Sequence, residues 1–351
     1  MNAAAHAPHA HGGKSIRGVM TSVMLALTPL TLWGFYLFGW TAVWLWLLTV
    51  GSAMLFELVC LNLAKRGGPA SLLDGSAALA GWLLALTLPP WAPWWIAVLG
   101  SFIAIAVAKH AYGGLGQNPF NPAMVARAAL LVSFPLEMTQ WVSPTPLLSG
   151  TGLGALEALE HVLFGGAVPD ALTSATLLGH VKTEASRGID LLASVPALGG
   201  GLADGVGRHA GSLGETGSWL ILAGGAFLLV RRIITWHIPV GVLAGIALPA
   251  AIGHAVDPAH LLSAQHHLTA GAALLGAFFI ATDLVTSPAT AAGKILYGLG
   301  IGFLTWTIRS FAGFPEGFAF AVLLMNACVP IIDRFLKPRI YGHGRVQMSP
   351  A

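Results

Sequence analysis

Two apolar stretches that lie 195 residues apart decide how this chain is expected to fold: AALAGWLLALTLPPWAP (77–93) and AALLGAFFIATDLVTSP (272–288). Aligned without a gap, they share six residues, which in the first stretch are Ala77, Ala78, Leu79, Gly81, Thr87 and Pro93. The same offset pairs Ala126 with Ala321 and Pro135 with Pro330. We interpret the pattern as an internal repeat of two related halves. The alternative is chance similarity between helices rich in alanine and leucine.

The composition indicates a membrane protein. Hydrophobic residues make up 56% of the 351 residues and charged residues only 9%, whereas soluble domains have roughly 25% charged residues. A chain of this length can supply about ten spans of about 20 residues. Nothing resembles a basic stripe or an aromatic reader motif, so we expect no nucleic-acid partner. The two cysteines form no Cys-X-X-Cys pair, so the chain alone is not expected to ligate an iron–sulfur cluster.

Apolar runs separated by Gly, Pro and charged residues predict ten membrane spans. The predicted spans are 20–38, 41–64, 76–89, 92–110, 121–135, 216–235, 238–256, 268–282, 293–311 and 317–336. The third, fifth and eighth are short for a full crossing. The expected fold is an all-α polytopic membrane protein with about ten transmembrane helices in a five-plus-five inverted repeat.

The positive charges predict which side each loop faces. Twelve of the 17 Lys and Arg residues fall on the side of the termini, and the short loops on the opposite side have none. Because Lys and Arg accumulate in cytoplasmic loops, both termini are expected in the cytoplasm. The expected organisation is a tail (1–18), a first repeat (19–135), a periplasmic loop (136–215), a second repeat (216–336) and a tail (337–351).

The entry into the fifth span is a candidate binding site. The stretch GGLGQNPFNPAMVARAALLVSFP (113–135) combines three glycines, Asn118, Asn121 and Pro122 at its start. Asn followed by Pro is typical of a helix N-cap and first turn, and irregular backbone at membrane depth occurs where it faces protein or a cavity. Asn118 and Asn121 could therefore bind a buried polar ligand; simple capping of the helix is the alternative.

Charged residues inside the spans are candidates for an ion path or a cofactor site. Each is costly in a membrane and is usually paired or functional. The acids are Glu57, Asp283 and Asp333, and the basic residues Arg127 and Arg309 are possible partners. For Asp333, a solvated position at a helix end is an equally good interpretation.

The long loop contains a patch of hydroxyl side chains, DALTSATLLGH (170–180). The patch offers three hydroxyls, those of Thr173, Ser174 and Thr176, around Ala175. From the residues alone, a turn or a helix cap is the usual role of such a patch.

Four segments carry a resemblance to a known family. They are GGLGQNPFNPAM (113–124), FFIATDLVTSPAT (278–290), IRSFAGFPEGFAFAVLLMNACVPIIDRF (308–335) and KPRIYGHG (337–344). They resemble the D subunits of the Rnf complex, which are related to the B subunit of the sodium-pumping NADH:quinone oxidoreductase. The similarity extends from about residue 17 to 345, and the third segment looks more like the ferredoxin-linked branch than the quinone-reducing one.

The resemblance implies two flavins. Family members carry FMN esterified through its phosphate to the last Thr of the loop motif, which is Thr176 here. Asp170, Thr173 and Ala175 match the motif, and Ser174 stands where Gly is usual. The resemblance also implies non-covalent riboflavin near the cytoplasmic side, which we map onto Asn118, Asn121, Pro122 and Asp283.

The resemblance further implies a role in the bacterial inner membrane. The chain would be a subunit that carries electrons between ferredoxin and NAD+, coupled to Na+ or H+ translocation. Its expected partners are the A, B, C, E and G subunits of the Rnf complex and a flavin transferase; ferredoxin and NAD would bind other subunits. The expected ion-path residues are Glu57, Asp283 and Asp333. The alternatives are a stand-alone transporter or channel, a purely structural scaffold and the related protein of the quinone-reducing pump.

Overall fold

The computed structural model describes residues 15–65, 72–147, 152–165, 174–187, 191 and 209–337. The helices of the first half are α1 (Ile16–Phe38), α2 (Trp40–Leu63), α3 (Ser76–Ala85), α4 (Trp94–Phe102), α5 (Pro122–Ser133) and α6 (Pro135–Thr139). The loop contains α7 (Ala155–Phe164) and α8 (Leu177–Ser186). The second half contains α9 (Ser218–Val230), α10 (His237–Val256), α11 (Ala264–Thr269), α12 (Ala273–Leu275), α13 (Ala291–Phe311) and α14 (Phe318–Phe335).

Every predicted span coincides with helical structure. Six helical segments in the described part of the chain are long and apolar enough to cross a membrane: Ile16–Phe38, Trp40–Leu63, Trp94–Tyr112, His237–Val256, Ala291–Phe311 and Phe318–Phe335. The remaining four spans are shorter, as predicted for the third, fifth and eighth. The sixth is also short, since α9 ends at Val230 instead of reaching residue 235. The protein is thus a polytopic helical membrane protein.

The two repeated stretches are broken helices. Pro89 and Pro90 follow α3, and because proline lacks a backbone N–H it stops the helix from continuing. In the second copy, α12 passes into a π-helical turn at Gly276–Ile280 and then ends. Residues 86–92 are buried although they are not helical, which is how irregular backbone is tolerated at membrane depth.

Glycines let the long helices of the second half approach closely. A Cβ atom at Gly245 would lie 2.5 Å from the Leu299 carbonyl oxygen, and Gly241 faces Gly298 in the same way. The contact moves from Gly241 to Gly245 along α10 and from Gly298 to Gly302 along α13. The two helices therefore run parallel, as predicted for the seventh and ninth spans. Close glycine packing replaces the hydrophobic driving force, which is absent between helices in lipid.

The corresponding helices α5 and α14 lie side by side in opposite directions. The Asn121 backbone N–H at the start of α5 donates to Asn326 Oδ1 in the middle of α14, over 3.2 Å. Further along α5, Arg127 shares a cavity with Glu316, which precedes α14. The antiparallel pair agrees with the predicted inverted repeat, and it places the two ends of α5 at two separate cavities.

Candidate functional site

Two cavities flank the short helix α5. The outer cavity, of about 330 Å³, is lined by residues that include Arg127, Thr176, Glu215 and Glu316. The inner cavity, of about 110 Å³, lies at the start of α5. The residues that line it include Lys109, Asn118, Asn121, Pro122, Phe278, Phe279 and Asp283. The structure therefore brings the predicted residues together in two places.

Thr176 is the N-cap of α8 at the rim of the outer cavity. Its hydroxyl oxygen accepts a hydrogen bond from the Gly179 backbone N–H at 3.1 Å, and its carbonyl oxygen accepts the first intrahelical bond from His180. This is the arrangement of an N-cap threonine. A Cβ atom at Gly179 would lie only 3.2 Å from the Thr176 hydroxyl oxygen, so glycine leaves room around that hydroxyl.

The segment that carries Thr176 is anchored to the chain just after α6 and just after α13. Ser174 N–H donates to the Trp141 carbonyl oxygen at 3.0 Å, and Lys182 Nζ donates to the Ala312 carbonyl oxygen just after α13 at 2.6 Å. Ser174 and Ala175 also line the outer cavity. Asp170 and Thr173, the other predicted members of the motif, lie outside the described residues.

A buried ion pair frames the outer cavity. Arg309 Nη2 lies 2.8 Å from Glu316 Oε2, and the same guanidinium donates to the carbonyl oxygens of His267 and Ala270. Glu316 also accepts from the backbone N–H groups of Ala272 and Phe318. Gly271 (φ +65°) is required beside them, because a side chain there would collide with the Glu316 carboxylate.

Two carboxyl groups in the outer cavity have opposite pKa shifts. Burial raises the pKa of Glu215, and the neighbouring Glu316 raises it further. Burial also acts to raise the pKa of Glu316, but Arg309 and then Arg127 hold that pKa below its usual value. Glu316 is thus the ionised partner of the arginines, and Glu215, which accepts from Ser212 Oγ at 2.8 Å, is the more easily protonated acid.

The predicted residues of the inner cavity differ in how many of their polar atoms are already used. Asn121 Oδ1 accepts from the Met124 backbone N–H, and Asn121 Nδ2 donates to the Ile280 carbonyl oxygen, so this side chain caps α5 and braces it. Asn118 donates to the Phe120 carbonyl oxygen at 3.1 Å, and its own Oδ1 bonds no described residue. Asp283 accepts from Val285 N–H and the Thr286 hydroxyl.

The structure corrects the expected partners of the intramembrane acids. Glu57 pairs with Lys109, whose Nζ lies 2.8 Å from Glu57 Oε1 and 2.8 Å from Ser76 Oγ. His110 Nε2 lies 2.9 Å from Glu57 Oε2, although the two atoms are not aligned for a hydrogen bond. Among the described residues, neither Arg127 nor Arg309 forms an ion pair with Glu57. Arg309 pairs with Glu316, and Arg127 donates to the Thr87 carbonyl oxygen.

Asp333 has a bracing contact at the end of α14. Its Oδ1 accepts from the Ala289 backbone N–H at 3.1 Å, and the residue is half-buried. This contact matches the helix-end interpretation of Asp333. Its role in an ion path, like those of Glu57 and Asp283, stays a prediction.

Sequence reasoning missed three groups that organise the cavities, namely Lys109, Glu316 and Asn326. In the sequence, Lys109 is only one of the positive charges that are predicted to lie on the cytoplasmic side. The repeat contains a signal for Glu316, since the offset of 195 residues aligns it with Asn121, and both residues accept backbone N–H groups at a helix start. No comparable signal marks Asn326, whose amide joins Asn121, Thr286 and Tyr297.

The fold and the two cavities define a membrane-embedded protein with a cavity at each end of one short helix. The sequence profile of the NQR2, RnfD, RnfE family matches residues 3–342. Relatives named as the D subunit of an ion-translocating oxidoreductase complex include that of Stutzerimonas stutzeri, 53% identical over 335 residues, which cover 93% of this chain and 92% of the relative. That of Halorhodospira halophila is 44% identical over 339 residues (97% and 95%). That of Rhodobacter capsulatus is 48% identical over 301 residues (86% and 84%). The chain belongs to the NQR2, RnfD, RnfE family.

Proposed function

We propose that this chain is the flavin-carrying D subunit in the membrane part of an ion-translocating oxidoreductase complex, with FMN esterified to Thr176 and riboflavin in the inner cavity. The observation that carries the proposal is that one helix, α5, lines both the cavity beside Thr176 and the cavity beside Asn118 and Asp283. Asn121 at the start of α5 lines the inner cavity, and Arg127, six residues later, lines the outer cavity. At 1.5 Å per residue the two points are about 9 Å apart along the helix.

The surroundings of Thr176 fit a phosphoester. A phosphate on its hydroxyl would lie at the N-terminus of α8, where free backbone N–H groups and the helix dipole favour negative charge. The cavity behind it, at about 330 Å³, is within the range of small-molecule sites, which starts at about 300 Å³. The anchored ends of the segment would hold the attachment point in place.

The inner cavity fits riboflavin in chemistry and less well in volume. Phe278 and Phe279 supply aromatic walls, and Asn118, Asp283 and Lys109 supply polar groups for hydroxyls. Riboflavin lacks a phosphate, so such hydrogen bonds would have to orient it. The volume of about 110 Å³ is below that of usual ligand sites, so binding requires lining side chains to move outward.

When bound, flavins supply the electron-transfer chemistry, while the protein holds and tunes them. The residues of this chain would keep the two flavins in fixed positions and shield them from water. Ferredoxin and NAD+ would react at other subunits, and Na+ or H+ translocation would accompany electron flow. Among the intramembrane acids, Asp283 is the best-placed ion-path candidate, because it lines the inner cavity, whereas Glu57 is occupied by Lys109.

The test is flavin fluorescence of the denatured full-length chain, co-expressed with a flavin transferase, together with its intact mass. We expect a fluorescent band heavier by one FMN residue, lost in Thr176→Ala and retained in Thr176→Ser, which keeps a hydroxyl. Thr139→Ala is the matched control, since Thr139 lines the same cavity and bonds only its own helix.

A dark wild-type band made with an active transferase would reject covalent flavin at this site and favour the stand-alone transporter. A fluorescent band that persists in Thr176→Ala and disappears in a variant of another loop residue would move the attachment point. If Thr176→Ala left electron transfer by the complex intact, the scaffold interpretation would replace the proposal.

A further inference from the structure

Two buried arginines lie near the outer cavity, and only one of them, Arg309, uses its N–H donors fully in hydrogen bonds to other residues. Arg309 donates to two carbonyl oxygens and to both oxygens of Glu316, and it does not line the cavity. Arg127 does line the cavity, and its side chain is also buried. Its only hydrogen bond to a described residue is from Nη1 to the Thr87 carbonyl oxygen.

A guanidinium has five N–H donors, so most of those on Arg127 are available to a ligand. Donors that face a cavity can bond to acceptors inside it, and a cavity ligand with acceptor atoms would supply them. The planar fork of arginine matches pairs of acceptor oxygens better than lysine does. Arg127 is therefore arranged to receive a ligand with carbonyl or anionic oxygens.

The charges that face Arg127 leave its positive charge poorly neutralised. The groups around it are Glu215 and His209 from the segment before α9, Arg309 from the last turn of α13, and Glu316 from the segment between α13 and α14. Arg127 forms no ion pair within 4 Å with any carboxylate of the described residues, and Glu316 is already paired with Arg309. The raised pKa of Glu215 weakens that residue as a counter-ion.

The position of Arg127 relative to Thr176 suggests which part of a tethered flavin it meets. Thr176 lies at the rim of the cavity and Arg127 lines the same cavity from α5. A flavin esterified at its phosphate end can extend its ring system from Thr176 into the cavity. One end of the ring system has methyl groups. The other, the pyrimidine end, has two carbonyl oxygens, each beside an acceptor ring nitrogen of the oxidised flavin, and either oxygen–nitrogen pair matches the donor fork of Arg127.

We propose that Arg127 is a cofactor-binding residue that donates to the pyrimidine end of the flavin attached at Thr176, to one carbonyl oxygen and the ring nitrogen beside it, and raises the midpoint potential of that flavin. The proposal rests on the proposed function. The physical reason is that a nearby positive charge stabilises the more negative, reduced form of a bound group. The same charge in a buried site acts more strongly than it would in water.

The test compares Arg127→Gln and Arg127→Lys with wild type, using the full-length chain carrying its covalent flavin. Redox titration followed by flavin absorbance gives the midpoint potential, with the Thr176→Ala spectrum subtracted to remove any second flavin. We expect Arg127→Gln to lower the preference for the reduced form at least tenfold, or about 30 mV for a two-electron couple. Arg127→Lys, which keeps the charge, should recover most of that shift. Lys294→Gln is the charge-matched control, because Lys294 lies at the start of α13 and does not line the outer cavity.

Two outcomes separate this proposal from the previous one. A wild-type chain without covalent flavin would reject the proposed function itself. A normally fluorescent Arg127→Gln chain with an unchanged midpoint potential would reject only the role of Arg127.

If Arg127→Gln does not accumulate, Arg127→Lys decides the question through redox-difference infrared spectra. Lysine cannot reproduce the two parallel hydrogen bonds of the arginine fork, so we expect the flavin carbonyl bands to move to higher frequency. Carbonyl bands at the wild-type frequencies in this variant would overturn the proposal.

Discussion

The outer and inner cavities lie at the two ends of α5, yet they are built in different ways. The outer cavity is lined by Thr176 from the loop segment and by Arg127, which forms a single hydrogen bond to a described residue. The inner cavity is closed by membrane helices, and two of its polar residues, Asn121 and Asp283, mostly bond their neighbours. The difference suggests that a covalent bond secures one ligand, whereas close packing alone has to secure the other.

The sharpest test of this comparison is to remove each flavin separately. Thr176→Ala should abolish covalent flavin and leave the flavin that acid extracts from the purified chain. Asn118→Leu should do the reverse, because it removes the amide whose Oδ1 can meet a ribityl hydroxyl; we expect at least tenfold weaker retention, or about 1.4 kcal/mol. Loss of both flavins from either single variant would contradict the assignment of separate sites.

The next largest effect should come from the ion pair that frames the outer cavity. Arg309→Met leaves Glu316 buried without its partner, together with the His267 and Ala270 carbonyl oxygens. We expect a loss of about 3–5 kcal/mol of stability, seen as a lower thermal midpoint in detergent. Arg127→Met, which removes one hydrogen bond to Thr87, should cost clearly less. Equal losses would mean that both arginines are structural.

The matching ion pair beside the inner cavity should cost slightly less to break. Lys109→Met leaves Glu57 buried, but His110 remains within 2.9 Å of its carboxylate, so we expect about 3 kcal/mol. The double variant Lys109→Met with Glu57→Gln should recover part of the loss, because no unpaired charge then remains. A double variant as unstable as the sum of the two single variants would show that the pair itself contributes no coupling energy.

A smaller effect is expected at Asn326, which ties the start of α5 to α13 and α14. Asn326→Leu removes the acceptor for the Asn121 N–H and the donor to Thr286 and Tyr297. We expect a loss of about 1–3 kcal/mol and weaker retention of extractable flavin, with covalent flavin unchanged. Thermal unfolding of the full-length chain measures the first effect, and flavin extraction the second.

The smallest change in stability is expected at Asp333. Asn at this position can still accept from the Ala289 N–H, so Asp333→Asn should alter stability by no more than about 0.5 kcal/mol. Coupled ion transport by the assembled complex is the informative readout. Transport at the wild-type rate would remove Asp333 from the ion path, and its selective loss, with electron transfer retained, would keep it there.

The sequence by itself determined the membrane class, the all-helical character and the places of the apolar helices along the chain. These features follow from local runs of apolar residues and from the Gly and Pro residues that interrupt the runs. Both signals act within about 20 residues. The match to family motifs singled out Thr176, which a patch of hydroxyl residues alone could not do, because such patches usually cap helices. The structure shows that Thr176 is such a cap; flavin attachment at its hydroxyl stays a prediction.

Only the tertiary structure decided which charges pair and which polar atoms stay available. Glu57 meets Lys109, 52 residues away, and Arg309 meets Glu316, whereas Arg127 is left facing a cavity. Such pairings depend on the depth and rotation of each helix against its neighbours, which the apolar pattern of a nearly uniform hydrophobic helix does not specify. For the same reason the sequence could not distinguish Asn118, whose Oδ1 bonds no described residue, from the fully bonded Asn121 three residues later.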